Sequence, residues 1–212
     1  MQFFSKSQYS KLTVCALLFI SNAAWTQSRM EYGIGVGLIY GDYQESRNLP
    51  DGLELVVDQA RFSPSVNTYV AYKATDRLKL TSSPGINFHL HNEPLGNRNL
   101  SSVYFHLPVG VQYKLVGNLS VMGDVFYDYL VNQSYVINDE SVSVTNLVDT
   151  RNLYGASAGL AYSIGRYMEI QLTASHHFNS VNSYILTDLN GVEAGDVKLR
   201  NRFLKLNLVF RG

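Results

Sequence analysis

Large apolar residues alternate with small or polar residues along most of the chain from about residue 31 to residue 210. The alternation is clearest in residues 103–113, where every second residue from Val103 to Tyr113 is aliphatic or aromatic. Successive side chains of a β-strand point to opposite faces, so such a segment has one oily face and one face that is mostly small or polar. The pattern recurs eight times, which predicts an all-β fold with eight antiparallel strands.

Long polar segments and short turns alternate between the predicted strands. The strands are predicted at residues 32–40, 62–72, 78–90, 103–113, 119–129, 154–162, 168–178 and 203–210. The long segments are predicted to be loops at residues 41–61, 91–101, 131–151 and 179–200. Strands of about ten residues joined in this way predict an up-and-down transmembrane β-barrel, with both chain ends on the short-turn side.

A soluble barrel or β-sandwich is the alternative fold, because its strands also alternate. In those folds the bulky apolar face points inward and the outside is charged. Here the face opposite the bulky residues is rich in Gly and Ser, which fill a narrow lumen but form a poor oily core. The membrane barrel is therefore the favoured prediction.

Aromatic residues lie at both ends of the predicted strands. The predicted aromatic girdles consist of Tyr32, Tyr72, Tyr113, Tyr162 and Phe210 at the short-turn end, and of Tyr40, Tyr127, Tyr129, Tyr154 and Phe178 at the long-loop end. Amphipathic rings concentrate at the two interfaces of a bilayer. This need explains why the chain has 15 Tyr but a single Trp.

The first 26 residues are predicted to be a cleaved secretory signal peptide, which leaves residues 27–212 as the barrel domain. Lys6 and Lys11 precede a short apolar segment, and small residues follow it. Cys15 would be removed with this segment; the alternative, a lipoprotein anchored through Cys15, fits less well because most of the apolar segment follows the cysteine. The remaining chain has 15 basic and 17 acidic residues and no basic patch, so no nucleic-acid partner is expected.

Eight ionisable side chains are predicted to point into the barrel and to form a network in its lumen. They are Lys79, His89, His106, Asp124, Asp128, Glu169, His177 and Lys205. Charges of both signs in a narrow lumen are expected to be paired. The alternatives are a gated ion path, and a metal held by His89 and His106 with Asp128. Because eight strands leave little open bore, a structural plug without metal or cofactor is favoured.

One motif resembles a catalytic site. Residues 155–159 match the G-x-S-x-G nucleophile elbow, but that elbow needs a strand, a sharp turn and a helix, and here more alternating strand follows. Ser157 is predicted to face the lumen and His176 to face lipid, so no catalytic residue is predicted. A barrel enzyme that modifies membrane lipid is therefore the less favoured alternative.

The sequence resembles the PorT-like outer-membrane β-barrel domain family of Gram-negative bacteria, which is related in shape to OmpA-type and OmpX-type barrels. The resemblance lies in residues 32–38, 105–113 and 154–162 and in the closing strand to Phe210, and it extends over nearly all of residues 30–212. It implies location in the cell outer membrane, contact with outer-membrane lipid, and insertion by the barrel assembly machinery. Some members of the family serve protein secretion.

The favoured interpretation is a non-enzymatic outer-membrane protein with a plugged polar lumen. Its four long loops are polar and rich in Asn, Asp and Ser, as exposed interaction surfaces tend to be. An extracellular or envelope partner is therefore expected to bind through the loops. An accessory component of a protein secretion machine is the alternative.

Overall fold

The structure is a computed structural model that describes residues 29–48, 59–60, 62–92, 98–137, 140–143, 145, 150–180, 182–187 and 193–212. The chain divides into two units, residues 1–30 and residues 31–212. The signal peptide predicted for residues 1–26 lies outside the described residues. The second unit contains the barrel.

Twelve β-strands make up the described part of the fold. They are β1 (Met30–Asn48), β2 (Gln59–Ala60), β3 (Phe62–Lys73), β4 (Leu78–Ser82), β5 (Gly85–Asn92), β6 (Arg98–Val116), β7 (Leu119–Ile137), β8 (Glu140–Ser143), β9 (Asn152–Ile164), β10 (Met168–His177), β11 (Asn182–Thr187) and β12 (Glu193–Arg211). Among the described residues, no helix has the length and hydrophobicity that crossing a membrane requires.

The strands close into a ring. Hydrogen-bonded neighbours follow the order β1, β3, β4 with β5, β6, β7, β9, β10 and β12, and β12 pairs with β1 along residues 33–48. The strands β4 and β5 form a single crossing, so the ring has eight antiparallel strands and the predicted fold is confirmed. The short strands β2, β8 and β11 pair with β5, β7 and β12 at the long-loop side.

A proline divides the third crossing into β4 and β5. Pro84 has no backbone N–H to donate to the ladder, so the regular pairing is interrupted there. The register continues unchanged across the break, because Val70 pairs with Ser82 and Val66 pairs with Ile86. The backbone N–H of Thr68 donates to the Pro84 carbonyl oxygen at 2.9 Å, which keeps β3 joined to the crossing at this point.

The three short turns lie where the sequence predicts them. They occupy residues 74–77, 117–118 and 165–167. Gly117 and Gly165 have φ angles of 55° and 64°. This left-handed conformation carries no steric penalty for glycine, which explains why these two tight turns contain it.

The four long loops are shorter than predicted, because the strands continue into them. The strand β1 extends to Asn48 and β12 begins at Glu193, so the two remain paired eight residues beyond the predicted end of the first strand. Likewise β6 begins at Arg98 and β7 ends at Ile137. Backbone pairing does not need an oily face, whereas the alternation of hydrophobicity marks only the part of a strand that meets lipid.

The outer surface of the barrel carries the bulky apolar side chains. Val109 is 61 % exposed, whereas Gln112 on the inner face of the same strand is 3 % exposed. Eight of the ten predicted girdle residues are also exposed, namely Tyr32, Tyr40, Tyr113, Tyr129, Tyr154, Tyr162, Phe178 and Phe210. Tyr72 and Tyr127 are half-buried, and the Tyr127 hydroxyl donates to Asn152 Oδ1 at 2.6 Å. An outer surface with exposed bulky apolar side chains and aromatic rings is suited to contact with lipid.

A charge placed on the outer face tests this assignment. Val109→Arg is expected to lower the free energy of unfolding by about 2–4 kcal/mol, because the guanidinium would lie near the middle of the apolar band. Val116→Arg, beside the short turn at residues 117–118, is expected to cost about 0–1 kcal/mol. Urea titration of the refolded barrel in lipid vesicles measures both. Equal losses of unfolding free energy in the two variants would show that the register assigned to β6 is wrong.

Candidate functional site in the lumen and at the short-turn mouth

The inner faces of the strands fill the lumen with polar and aromatic side chains. Ser, Asn and Gln side chains from β3, β5, β6, β10 and β12 are buried there. A cavity of about 40 Å³ lies at mid-height, between Lys205, Asp124 and the residues around them. A cavity of this volume holds no more than a few water molecules, so the described residues leave little open bore at this height.

A buried carboxylate joins two histidines in the upper lumen. Asp128 is fully buried, with its Oδ1 2.5 Å from His106 Nδ1 and its Oδ2 2.9 Å from His177 Nε2. The three residues come from β7, β6 and β10, so the contact between Asp128 and His177 spans the intervening strand β9. Parity along the strands predicts that these residues share the lumen. Only the structure shows that one carboxylate binds both rings.

Both ring nitrogens of His177 face hydrogen-bond acceptors. Its Nδ1 lies 3.3 Å from the backbone carbonyl oxygen of Asn201, and its Nε2 lies 2.9 Å from the carboxylate of Asp128. These two contacts hold the ring between β12 and β7.

Aromatic rings pack around this carboxylate. The Phe126 ring centroid lies 5.2 Å from that of His106 and 5.1 Å from that of His177. On the other side, the His89 centroid lies 5.1 Å from Tyr104 and 5.4 Å from Phe203. The His106–Phe126 pair is tilted and the other three pairs are edge-to-face, an arrangement that stabilises ring pairs at these distances. Together the six rings fill the lumen toward its long-loop end.

His89 therefore lies among rings, not beside Asp128. Among the described residues, no group of three or more His, Cys, Asp and Glu side chains has an arrangement that could hold a metal ion. The metal hypothesis for His89, His106 and Asp128 is left without geometric support.

The remaining inward charges bind partners that cannot be inferred from the shared inward face of these residues alone. The Ser157 hydroxyl donates to Asp124 Oδ2 at 2.6 Å, and Lys205 Nζ lies 3.4 Å from Asn87 Oδ1. Apart from the contacts of Asp128 with His106 and His177, the predicted charges Lys79, Asp124, Glu169 and Lys205 form no ion pairs with one another among the described residues. Alternation along a strand gives the face of a residue but not its height relative to residues on other strands.

Two charged residues missed by the sequence analysis organise the short-turn mouth. The Glu31 carboxylate lies 2.9 Å from Lys73 Nζ and 2.7 Å from Lys79 Nζ. Arg211 reaches two carboxylates, lying 3.4 Å from Glu169 Oε2 and 3.6 Å from Glu31 Oε2. Both residues obey the inward parity of their strands, so extending that parity to the strand ends finds them.

The charge of Glu31 is stabilised at this mouth, outside the apolar band. Burial by itself raises the pKa of Glu31, but hydrogen bonds from Lys79 and Lys73 outweigh burial and lower the pKa below its ordinary value of 4.5. Glu31 is therefore ionised at neutral pH, and its two lysines are held as partners.

The G-x-S-x-G motif at residues 155–159 is part of a regular strand. Ser157 and Gly159 pair with Ser175 and Thr173 in the ladder between β9 and β10. The Ser157 hydroxyl donates to Asp124, and His176 lies on the opposite face of the sheet. A nucleophile elbow requires a sharp turn into a helix, which this segment does not have.

Solved outer-membrane barrels have this fold. The chain is similar to Ail, the attachment invasion locus protein of Yersinia pestis, with a TM-score of 0.51 and 13 % identity over 87 % of this chain and 99 % of that chain. It is also similar to Neisserial surface protein A, with a TM-score of 0.51 and 8 % identity over 84 % of this chain and 96 % of that chain. A second Ail structure, in complex with the heparin analogue sucrose octasulfate, matches with a TM-score of 0.50 and 13 % identity.

No protein-family model matches the sequence, and no curated protein matches it either. At 8 to 13 % identity, the likeness to solved structures concerns the fold. The chain is thus an eight-stranded barrel of the outer-membrane type.

The buried carboxylate makes a testable contribution to stability. Asp128→Asn removes the charge that both histidines contact and is expected to lower the free energy of unfolding by about 3 kcal/mol. Asp124→Asn, which affects one hydrogen bond to Ser157, is expected to cost about 1 kcal/mol. Urea unfolding, monitored by the tyrosine fluorescence of the barrel or by gel mobility, measures the difference in the free energy of unfolding between the two variants. Equal losses in the two variants would show that the link from His106 through Asp128 to His177 stabilises the barrel no more than a single hydrogen bond does.

Proposed function

We propose that this chain is an integral outer-membrane protein of Gram-negative bacteria, with a plugged lumen and no enzymatic activity. The observation that carries the proposal is the inverted distribution of polarity. Bulky apolar side chains cover the outside of the barrel, and buried Asn, Gln, Ser, His and Asp side chains fill the inside. A soluble protein places these classes the other way round, whereas a barrel in lipid requires this arrangement.

Contacts that join strands which are not neighbours in the ring support the plug at two heights. Near the short-turn end, Gln112 Nε2 donates to Glu169 Oε2 at 3.2 Å, and Tyr69 contacts Gln112 at 3.4 Å. Near the long-loop end, Asp128 binds His106 and His177 among packed aromatic rings. Glu169 and Asp128 are fully buried, so water does not reach them freely.

The chemistry of the lumen supports the absence of catalysis. The Ser157 hydroxyl bonds to the carboxylate of Asp124 and not to an imidazole, so the Ser-His pair of a serine hydrolase is not formed here. The cavity of about 40 Å³ beside it has no room for a lipid or peptide substrate. A lipid-modifying barrel enzyme is thus the weaker alternative.

The long-loop end is proposed to bind a partner outside the cell. The segments 41–61, 91–101, 131–151 and 179–200 contain twelve Asp and Glu residues and six Lys and Arg residues. Such an excess of negative charge favours a cationic partner and opposes polyanions. We therefore infer that this chain differs in ligand preference from Ail, which has been crystallised with a heparin analogue.

The resemblance to PorT-like barrels remains a proposal about family, and with it a role as an accessory of a secretion machine. It rests on residues 32–38, 105–113 and 154–162 and on the closing strand. Affinity purification from detergent-solubilised membranes separates the two roles. Stoichiometric recovery of other envelope proteins favours the accessory role, and recovery of the barrel alone favours the free-standing protein.

Single cysteines test the orientation. Val142→Cys, in β8 at the long-loop side, is expected to react with a membrane-impermeant maleimide on intact cells. Asn118→Cys, in a short turn, is expected to react only after the outer membrane is permeabilised. The unsubstituted chain is the background control, because Cys15 lies in the predicted signal peptide. If Asn118→Cys alone were labelled on intact cells, the topology would be the opposite of the proposed one.

Electrical recording tests the plug. The purified protein in a planar bilayer is expected to show no stable porin-like openings, because side chains fill an eight-stranded barrel. A known porin, reconstituted in the same way, is the positive control. Steady conductance by the unsubstituted protein would contradict the plugged lumen.

A further inference from the structure

The short-turn end of the barrel opens into a cavity of about 410 Å³, here called the vestibule. Six of the described residues that line it are cationic and two are acidic. The cations are Lys73, Arg77, Lys79, Lys114, Arg166 and Arg211, and the acids are Glu31 and Asp76. This excess of positive charge lies at the opposite end of the barrel from the acidic long loops.

The floor of the vestibule is closed and electrically compensated. Glu31 binds Lys73 and Lys79, and Arg211 lies between Glu31 and the buried Glu169. Below them, the contact of Gln112 with Glu169 crosses the lumen. An ion that enters from the short-turn side therefore meets a floor of paired charges and stops there.

Three cations at the rim have no such compensation. Among the described residues, Arg77, Lys114 and Arg166 form no ion pair, although Asp76 is a neighbour of Arg77 in the same turn. The backbone N–H of Lys114 donates to the carbonyl oxygen of Arg77 at 2.8 Å, which places these two residues side by side. The Arg166 guanidinium lies 5.2 Å from the Tyr167 ring centroid, a cation–π contact that orients it.

The entrance of the vestibule is open to small ligands. Gly117 and Gly165 line it and present no side chain, and a Cβ added to either would meet nothing within 4 Å. Asn118 and Ser120 also line it and supply neutral hydrogen-bond donors, whereas the Ser163 hydroxyl donates to Glu169 Oε2 at 3.1 Å. A concave site with donors and cations of this kind concentrates anions, because its field is focused by the walls.

We propose that the vestibule binds a small polyanion that carries two or more phosphate or carboxylate groups. Guanidinium and ammonium groups on separate turns match separated anionic groups, and arginine binds phosphate oxygens in a bidentate manner. A blind floor means that the ligand is bound and not conducted. The anion site rests on the proposed function in one respect, which is the compartment that the vestibule faces.

Inorganic triphosphate serves as the probe, with calorimetry on the refolded full-length barrel in nanodiscs of zwitterionic lipid. Saturable binding is expected, and the double variant Lys114→Gln with Arg166→Gln is expected to weaken it at least about tenfold through the loss of charge-assisted hydrogen bonds. The variant Lys114→Arg, which keeps the charge, is expected to bind within about threefold of the original protein. Heat-dependent gel mobility verifies that each variant is folded.

A cation at the other end of the barrel provides the matched control. Arg202→Gln removes one exposed charge near the long loops and is expected to change triphosphate affinity less than about twofold, because separated surface charges are screened. Absence of saturable binding, or equal weakening by Arg202→Gln, would overturn the proposal. If the cysteine experiment shows the opposite orientation in the membrane, triphosphate still binds to the purified barrel. Failure of the proposed orientation and failure of the anion site are therefore distinguishable.

The same measurement in nanodiscs that contain phosphatidylglycerol distinguishes two sources of the anion. If lipid headgroups reach the vestibule, anionic lipid competes and triphosphate binds more weakly than in zwitterionic discs. If the natural ligand is a soluble anion, the affinity is the same in both discs. Either outcome supports an anion site, and each identifies its source.

Discussion

Backbone groups that cross a lipid bilayer need hydrogen-bond partners within the protein, because hydrocarbon offers none. The present chain satisfies this requirement by pairing β1 with β12 over sixteen residue pairs, from Gly33 with Arg211 to Asn48 with Asp196. Closing the ring removes both sheet edges in the membrane. With the edges gone, the outer face is free to be apolar and the inner face carries the polar residues that hold the barrel together.

A ring of eight strands leaves a narrow interior, and that narrowness decides which residues line it. Gly155 faces the Phe126 ring, and Gly159 faces the Leu172 carbonyl oxygen, so closely that a Cβ at either position would collide with them. Glycine at these positions therefore makes room for the aromatic layer and for close packing of β9 on β10. Buried charges in such a space need partners, and Asp128 finds them in His106 and His177.

The sequence is sufficient to predict the number of strands, the face of each residue and the short turns, because alternation and turn glycines are local signals. The extension of β1 to Asn48 and of β12 to Glu193 is not predictable in this way, since polar strands outside lipid carry no alternation. The partners of the lumen charges are also missed. Glu31 and Arg211 meet Lys79 and Glu169 only because of the stagger between strands, which no local pattern encodes.

The central claim, that the bulky face of each strand meets lipid and the other face a packed polar lumen, is tested most directly by nitroxide scanning of β6. Spin labels placed singly at residues 103–113 of the reconstituted barrel report collisions with oxygen, which concentrates in lipid, and with a water-soluble nickel complex. Labels at Phe105, Leu107, Val109 and Val111 are predicted to collide strongly with oxygen and weakly with nickel, with a period of two residues along the strand. Oxygen collisions that peak instead at Tyr104, His106 and Gln112, or that show no period of two, would contradict the account.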